Sequence, residues 1–417
     1  MEVNGLPIVK LGEILPASYK NGVYKDSDSY GSGTPILRIT DFDNDGNLVN
    51  GRLRRLKLSP KEIKSYQLLQ GDIVVNRVNS LTHLGKSILW KGEHEKEVVY
   101  ESNMMRIEPN PAVILPKFLI RVLQSHNARS HFRKVAKRAV AQCSISQQDV
   151  KSLKFPLPPL PEQKKIAQIL STWDQAITAT ERLLENSQQR KKGLMQQLLT
   201  GKKRLPGFEG EWHQYALTDV AKVIVSPVDK KSHPEEKPVQ LCNYTDVYYN
   251  TRITKDMPFM EATAKDSEIE KYTLQAGDVV ITKDSETPGD IAVPALVAED
   301  LGGVICGYHL AILRARPSKL NGAFLNCLLS MPRTRYYFFS LATGATRFGL
   351  SVGAIHNAEV TLPPVPEQEA IANILTTCDD ELEIISERLD RLKQEKKALM
   401  QQLLTGKRRV KVEADAA

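Results

Sequence analysis

Cysteine is scarce in this chain. Its five residues, Cys143, Cys242, Cys306, Cys327 and Cys378, fall at no paired spacing. That excludes a disulfide framework and a cysteine-based zinc site, and points to free thiols in a reducing compartment. The eight histidines show no ligand spacing either, so no metal is expected. No apolar run is long enough to span a bilayer and no signal peptide is recognisable, so a soluble, cytoplasmic chain is expected. Catalytic signatures are missing as well. Phe348-Gly349-Leu350-Ser351-Val352-Gly353 is a poor nucleotide loop without strand-turn-helix context, and Asn110-Pro111-Ala112-Val113 lacks the aromatic residue that amino-methyltransferases place after Asn-Pro-Pro. Gly71-Asp72 and Gly277-Asp278 read as turns entering strands rather than as metal-binding carboxylates. No catalytic residue and no bound cofactor are expected.

What the chain does have is a repeat. Residues 157–204 and 362–409 align without a gap, with about half of the positions identical. Pro161-Glu162-Gln163 returns as Pro366-Glu367-Gln368, and the nine residues from Leu194 to Lys202 return unchanged from Leu399 to Lys407. Each copy reads as one helix of roughly 40 residues, about 60 Å long. Pro161 and Pro366 suit its first position, and the Glu that follows complements the positive end of the dipole. Gly201 and Gly406 suit a left-handed C′ position, followed by Lys and Arg at the negative end.

The apolar spacing alternates four and three. It runs through Ile166, Leu170, Trp173, Ile177, Thr180, Leu184, Ser187, Lys191, Leu194 and Leu198 in the first copy. In the second it runs through Ile371, Leu375, Cys378, Leu382, Ile385, Leu389, Leu392, Lys396, Leu399 and Leu403. Such a narrow stripe is a coiled-coil seam and needs a partner helix. The seam breaks at Lys191 and Lys396, where a polar residue can fix register. Two unrelated surface helices would not need to share solvent-side residues such as the Met-Gln-Gln run. Pairing the copies antiparallel would place the flanking segments at opposite ends of a bar.

Those flanking segments are also related. Leu69 to Arg77 matches Gln275 to Lys283, Lys117-Phe118-Leu119 matches Ala323-Phe324-Leu325, and Ser144-Ile145-Ser146 matches Gly349-Leu350-Ser351. Short strand-like runs such as Ile36–Ile39 and Ile73–Val75, turn signals, and a helical run from Pro116 make residues 1–157 a mixed domain. The expected class is α+β: a tandem duplication of domain plus helix, divided as 1–157, 158–205, 206–362 and 363–410, with a disordered tail at 411–417. Residues 1–157 carry 24 Lys+Arg against 15 Asp+Glu, which suits a polyanion, whereas residues 206–362 carry 15 against 19.

Polar and basic loop residues are the candidates for binding. In the first domain they are Arg52, Arg54, Arg55 and Lys57, then Arg77, Asn79, Ser80 and His83, then Lys134, Lys137, Arg138 and Gln142. In the second they are Tyr244, Thr245, Tyr248, Tyr249 and Arg252, then Lys283 and Ser285, then Thr346 and Arg347. Arg and Lys neutralise phosphates, while Arg, Asn and Gln can also pair bidentately with base edges. Arg77 and Lys283 stand out because they occupy matching positions.

Taken together, the Pro-Leu-Pro-Pro-Leu-Pro-Glu-Gln entry, the Leu-Met-Gln-Gln-Leu-Leu-Thr-Gly-Lys helix end, the Gly-Asp-Ile-Val strand and the duplication resemble the DNA-specificity subunit of Type I restriction–modification enzymes. The resemblance implies two target-recognition domains separated by an antiparallel coiled coil, each reading one half of a bipartite sequence in double-stranded DNA. It implies a non-catalytic subunit that recruits two methyltransferase subunits and, in the full complex, restriction subunits. S-adenosylmethionine, ATP and Mg would belong to those partners. It also implies DNA approach by the loops after Gly71-Asp72 and Gly277-Asp278, and by the segments around Arg138–Gln142 and Gly344–Arg347. Two rival readings remain open: a coiled-coil adaptor that does not bind DNA, and a DNA-modifying enzyme with an unfamiliar site.

Overall fold

The computed structural model describes residues 2–49, 51–92, 96–139 and 142–412. Val140 and Ala141, inside the basic segment, and most of the expected tail (413–417) lie outside them. The chain divides into two compact units, residues 1–181 with 387–417, and residues 182–386. Each takes in one mixed α/β region and a part of both long helices.

In the first unit, a four-stranded antiparallel sheet runs Tyr19–Asn21, Met104–Ile107, Ile73–Asn76, Ser87–Leu89. Its inner strand explains the apolar run after Gly71-Asp72. Ile73 and Val75 enter one core with Leu119, Phe132, Ile166 and Leu403, while Val74 enters another with Phe42 and Tyr100. Alternate residues feed opposite faces, so a strand covered on both sides must be apolar throughout. Each such side chain contributes about 1.5–3 kcal/mol when fully buried.

The second unit repeats the plan. Its five-stranded sheet runs Ala221–Val225, Leu310–Ala315, Val279–Thr282, Pro294–Val297, Arg252–Ile253. Val279 and Ile281 face the core that holds Phe324, Leu198, Ile371 and Leu375, and Val280 faces the other.

The Gly-Asp turns are structural. Gly71 and Gly277 have φ of 98° and 89°, the left-handed region that favours glycine. The carboxylates of Asp72 and Asp278 accept from the Leu69 and Gln275 amides at 2.8 and 2.9 Å, and Arg314 binds Asp278 through two nitrogens at 2.7 and 2.9 Å.

The long helices span Leu160–Leu198 and Val365–Leu404, so each proline sits one position inside its start. Gly201 and Gly406 adopt φ of 69° and 71°. The Gly201 and Gly406 amides donate to the Leu198 and Leu403 carbonyls, the short bond of a Schellman closure, and the Lys203 and Arg408 amides reach back one residue further than its long bond, to the Gln197 and Gln402 carbonyls. No seam residue is exposed, whereas Leu183 and Ile384, outside the seam, are 51% and 65% exposed.

Within each unit the two helices run antiparallel. In the first, Glu162 meets Arg409, Asp174 meets Lys396, and Glu181 meets Lys393. In the second, Glu367 meets Arg204, Asp379 meets Lys191, and Glu381 meets Arg190. Both seam lysines therefore carry a cross-helix ion pair, which supplies a physical reason for a charge inside an apolar stripe.

The Pro-Glu-Gln motif acquires a different role from the one its dipole suggests. Glu162 and Glu367 are buried, and each is gripped by the arginine that follows the other helix's terminal glycine. Gln163 accepts from the Leu115 amide and donates to the Pro158 and Val113 carbonyls. Gln368 does the same with Asn321, Pro363 and Lys319. The motif locks each helix start to its neighbouring domain and to the end of the other helix.

Candidate nucleic-acid interface

Where each central strand ends, the chain turns into a small ribbon. In the first unit, Val78–Asn79 pairs with Cys143–Ser144, which pairs with Lys137–Arg138. Segments some sixty residues apart in the chain thus share one sheet. Lys137, Arg138 and Gln142 are exposed on it. Arg77, just before it, is half-buried: Nη1 donates to the Ser102 carbonyl at 3.1 Å, and the Arg77 and Val78 amides both donate to the Asn103 carbonyl. Asn79 accepts from the Ser80 amide, and His83 lies exposed with Nδ1 at 3.0 Å from the Ser80 hydroxyl.

Arg54 and Arg55 belong to another sheet, on the strand Arg54–Leu56 paired with Tyr30–Leu37, where Arg55 donates to the Gly33 carbonyl. Arg52 and Lys57 flank that strand, and Lys134 ends the helix His126–Val135; all three are exposed. The structure does not bring Arg52, Arg54 and Arg55 into the ribbon's sheet.

In the second unit, Asp284–Ser285 pairs with Phe348–Gly349, and Thr343 bridges to Gly349. Thr346 and Arg347 are exposed on the connecting loop. The Lys283 and Asp284 amides donate to the His309 carbonyl, repeating the pattern at Asn103. Lys283 pairs with Asp284 at 2.8 Å.

Tyr244 and Tyr248 stack with ring centroids 5.5 Å apart, and their hydroxyls lie 3.1 Å from the Ser285 hydroxyl and the Asp290 carboxylate. Tyr249 stands 76% exposed beside them, and Thr245 is exposed too. Ser285 itself is buried. Arg252 is engaged elsewhere: its guanidinium binds Asp380 at 2.7 Å and the Thr376 carbonyl, both on the second long helix.

Asp284, His309 and Arg335 join this region without any local signal in the sequence. His309 Nδ1 lies 3.2 Å from Asp284 and Nε2 lies 2.7 Å from Arg347 Nη2, contacts that span 25 and 38 residues and leave no local pattern. Burial lowers the His309 pKa below the usual histidine value, with Asp284 opposing and Arg347 adding to the shift. Burial also lowers that of Arg335, whose Nη2 donates to the Gly289 carbonyl.

The second unit's acidic excess is in part internal. Asp246 caps the Asn243 amide, Asp278 holds Arg314, and Asp284 holds Lys283 and His309. Among the described residues no group of three or more His, Cys, Asp or Glu could hold a metal ion, and no helix is long and apolar enough to cross a membrane.

A duplicated ribbon with exposed basic and amide side chains, set on twin clamped helices, matches a known architecture. The model of the Type I restriction modification DNA specificity domain matches residues 5–186 and again residues 209–394. The chain belongs to that family. The specificity subunit is the non-catalytic component of a type I restriction–modification complex.

The MjaX specificity subunit of Methanocaldococcus jannaschii is 28% identical to this one over 410 residues, covering 94% of this chain and 91% of that protein. The EcoKI specificity subunit of Escherichia coli is 27% identical over 200 residues, covering 48% of this chain and 42% of its own. Among solved structures, the type I S subunit of M. genitalium has a similar fold at 15% identity and a TM-score of 0.59, with 97% and 98% covered. A chain from a structure addressing complex assembly and conformational transition of the type I R-M system aligns at 18% identity and a TM-score of 0.57, with 97% and 99% covered.

Proposed function

We propose that residues 1–157 and 206–362 of this specificity subunit are two target-recognition domains, each reading one half of a bipartite duplex DNA sequence. The observation that carries this reading is the ribbon that recurs after each central strand. It exposes Lys137, Arg138 and Gln142 in one unit, and Thr346 and Arg347 in the other. Phosphate contacts from such lysines and arginines set register, and a few amide or guanidinium contacts to base edges choose sequence.

Two methyltransferase subunits dock against the helices, where Leu183 and Ile384 offer exposed apolar contacts. They bring S-adenosylmethionine, and restriction subunits bring ATP and Mg. The adenine to be methylated turns out of the duplex into a pocket on the methyltransferase, so this chain's task is placement. Joining two half-site contacts multiplies affinity through effective concentration, provided the helices hold the span.

Single-molecule sequencing of modified bases in cells with and without this chain tests the reading. The expected result is a bipartite methylated motif that disappears with the chain. An unchanged pattern, methylation by the purified chain alone, or no DNA binding by its complex with methyltransferase subunits in a gel shift at stated salt would each overturn it.

A further inference from the structure

Resting on that reading, we infer that Asp284 and His309 are positioning residues that aim Arg347 at a guanine in the half-site read by the second unit. The geometry leaves one consistent arrangement of protons. Arginine has donors only, so His309 Nε2, 2.7 Å from Arg347 Nη2, accepts. An imidazole that accepts at Nε2 and stays neutral carries its proton on Nδ1, and Nδ1 faces Asp284 Oδ2 at 3.2 Å. The other oxygen of Asp284 takes the Lys283 ammonium at 2.8 Å. The charged groups facing His309 are thus Asp284, Lys283 and Arg347, and the Tyr308 ring packs beside the imidazole with centroids 3.5 Å apart. They form a directed chain that ends on an exposed guanidinium.

The backbone is built around this chain. His309 adopts φ of 71°, a left-handed conformation that non-glycine residues seldom hold unless the surroundings impose it. Gly349 leaves space for Asp284: a β-carbon there would lie 2.6 Å from Oδ1. Gly344 (φ 142°) lets its loop fold back so tightly that a β-carbon would collide with the Arg347 carbonyl. A loop fixed at both ends holds the arginine ready before DNA arrives, and one anchored amino group leaves the rest of the fork for a base edge. The guanine edge, with O6 and N7 as paired acceptors in the major groove, is the partner that such a fork fits.

The first unit lacks this device. By backbone hydrogen bonds and strand register, Arg77, Val78, Asn103 and Gln142 stand where Lys283, Asp284, His309 and Arg347 stand. Val78 has no carboxylate, so no proton chain forms there.

The test uses the full chain with its methyltransferase subunits, scoring methylated motifs in cells and binding of the derived duplexes in vitro. Arg347→Lys and His309→Phe should each relax a single guanine position in one half of the motif, by about 10- to 100-fold in discrimination. His309→Gln, whose carbonyl can still accept from Arg347, should restore it. The wild-type complex should lose that discrimination as pH falls below the ordinary histidine value of about 6.5, because a protonated ring cannot accept from Arg347, while His309→Gln stays flat. Variants that melt like the wild type yet leave every base position unchanged would overturn the inference while leaving the bipartite reading intact. So would affinity loss that is uniform over all sequences with a shallower salt dependence, which would assign Arg347 to a phosphate. A wild-type motif that is not bipartite would remove the underlying reading itself.

Discussion

The two units share a backbone plan and differ in what they hang on it. In both, consecutive amides after the central strand donate to one carbonyl, that of Asn103 or of His309, and the ribbon follows. The first unit then presents Lys137, Arg138 and Gln142 on a three-stranded ribbon, and the second presents Arg347 at the end of an Asp–His chain. The frame shows the opposite behaviour. Glu162, Gln163 and Arg409 are matched almost atom for atom by Glu367, Gln368 and Arg204. One difference enters even there. Asp174 serves both the seam Lys396 and the domain Arg121, whereas the second unit divides those tasks between Asp379, which takes Lys191, and Asp380, which takes Arg252. The two units differ in the side chains of the ribbon and repeat each other where a buried charge must find its partner.

The sharpest way to separate frame from reader is to change the helices alone. Inserting or deleting residues in either long helix should change the unread spacer of the methylated motif and leave both half-sequences as they were; altered halves with an unchanged spacer would contradict the proposed division of labour.

Next in size, Gln163→Ala and Gln368→Ala should each destabilise the protein by about 2–4 kcal/mol, because each removes the partner of one partly buried amide and of two carbonyls. Equal losses in chemical denaturation would support the equivalence of the two clamps. A near-neutral result for one would break it.

Smaller still, Lys191→Met and Lys396→Met should cost about 1–3 kcal/mol each by stranding a partly buried aspartate. Lys396→Met should be the milder, since Arg121 still neutralises Asp174; the reverse order in denaturant midpoints would refute that sharing.

Arg77→Ala should weaken discrimination at one half-site about tenfold, roughly 1.4 kcal/mol. Methylated-site sequencing that shows equal loss at both halves would count against a separate reader.

The smallest effect concerns pH. His309 has a depressed pKa when folded, so the unfolded chain binds that proton more readily. Its contribution is present above the ordinary histidine value of about 6.5 and fades as pH falls below it. Asn103 provides no such group in the first unit. Melting curves at a series of pH values should therefore show a slight acid-side loss in the wild type that His309→Gln removes.

Much of the frame was legible in the residues. The four-and-three spacing picks out residues none of which is exposed, though it omits the buried Ala167, Leu199, Ala372 and Leu404, and the glycines after each helix adopt the left-handed closure that their setting implies. The paired apolar runs after Gly71 and Gly277 are the buried inner strands. Two features differ from what their local setting implies. The seam lysines interrupt an apolar stripe yet carry cross-helix ion pairs, and the motif glutamates sit at helix starts yet are gripped by arginines more than 160 residues away. The candidate readers were less legible still. Arg77, Lys137, Arg138 and Gln142 do converge on one ribbon, whereas Arg252 turns to a helix and Ser285 is buried under Tyr244. A basic side chain on a loop looks the same in one dimension whichever way it folds.

The amino-acid order alone determined the duplication, the two long helices and their seams, because periodic burial and terminal glycines act over a few residues. Only the tertiary structure decided which carboxylate neutralises which cation, and that a histidine lies between Asp284 and Arg347. Those pairings join positions distant in the chain, and a charge that the fold removes from water must be matched by whichever opposite charge the fold brings beside it.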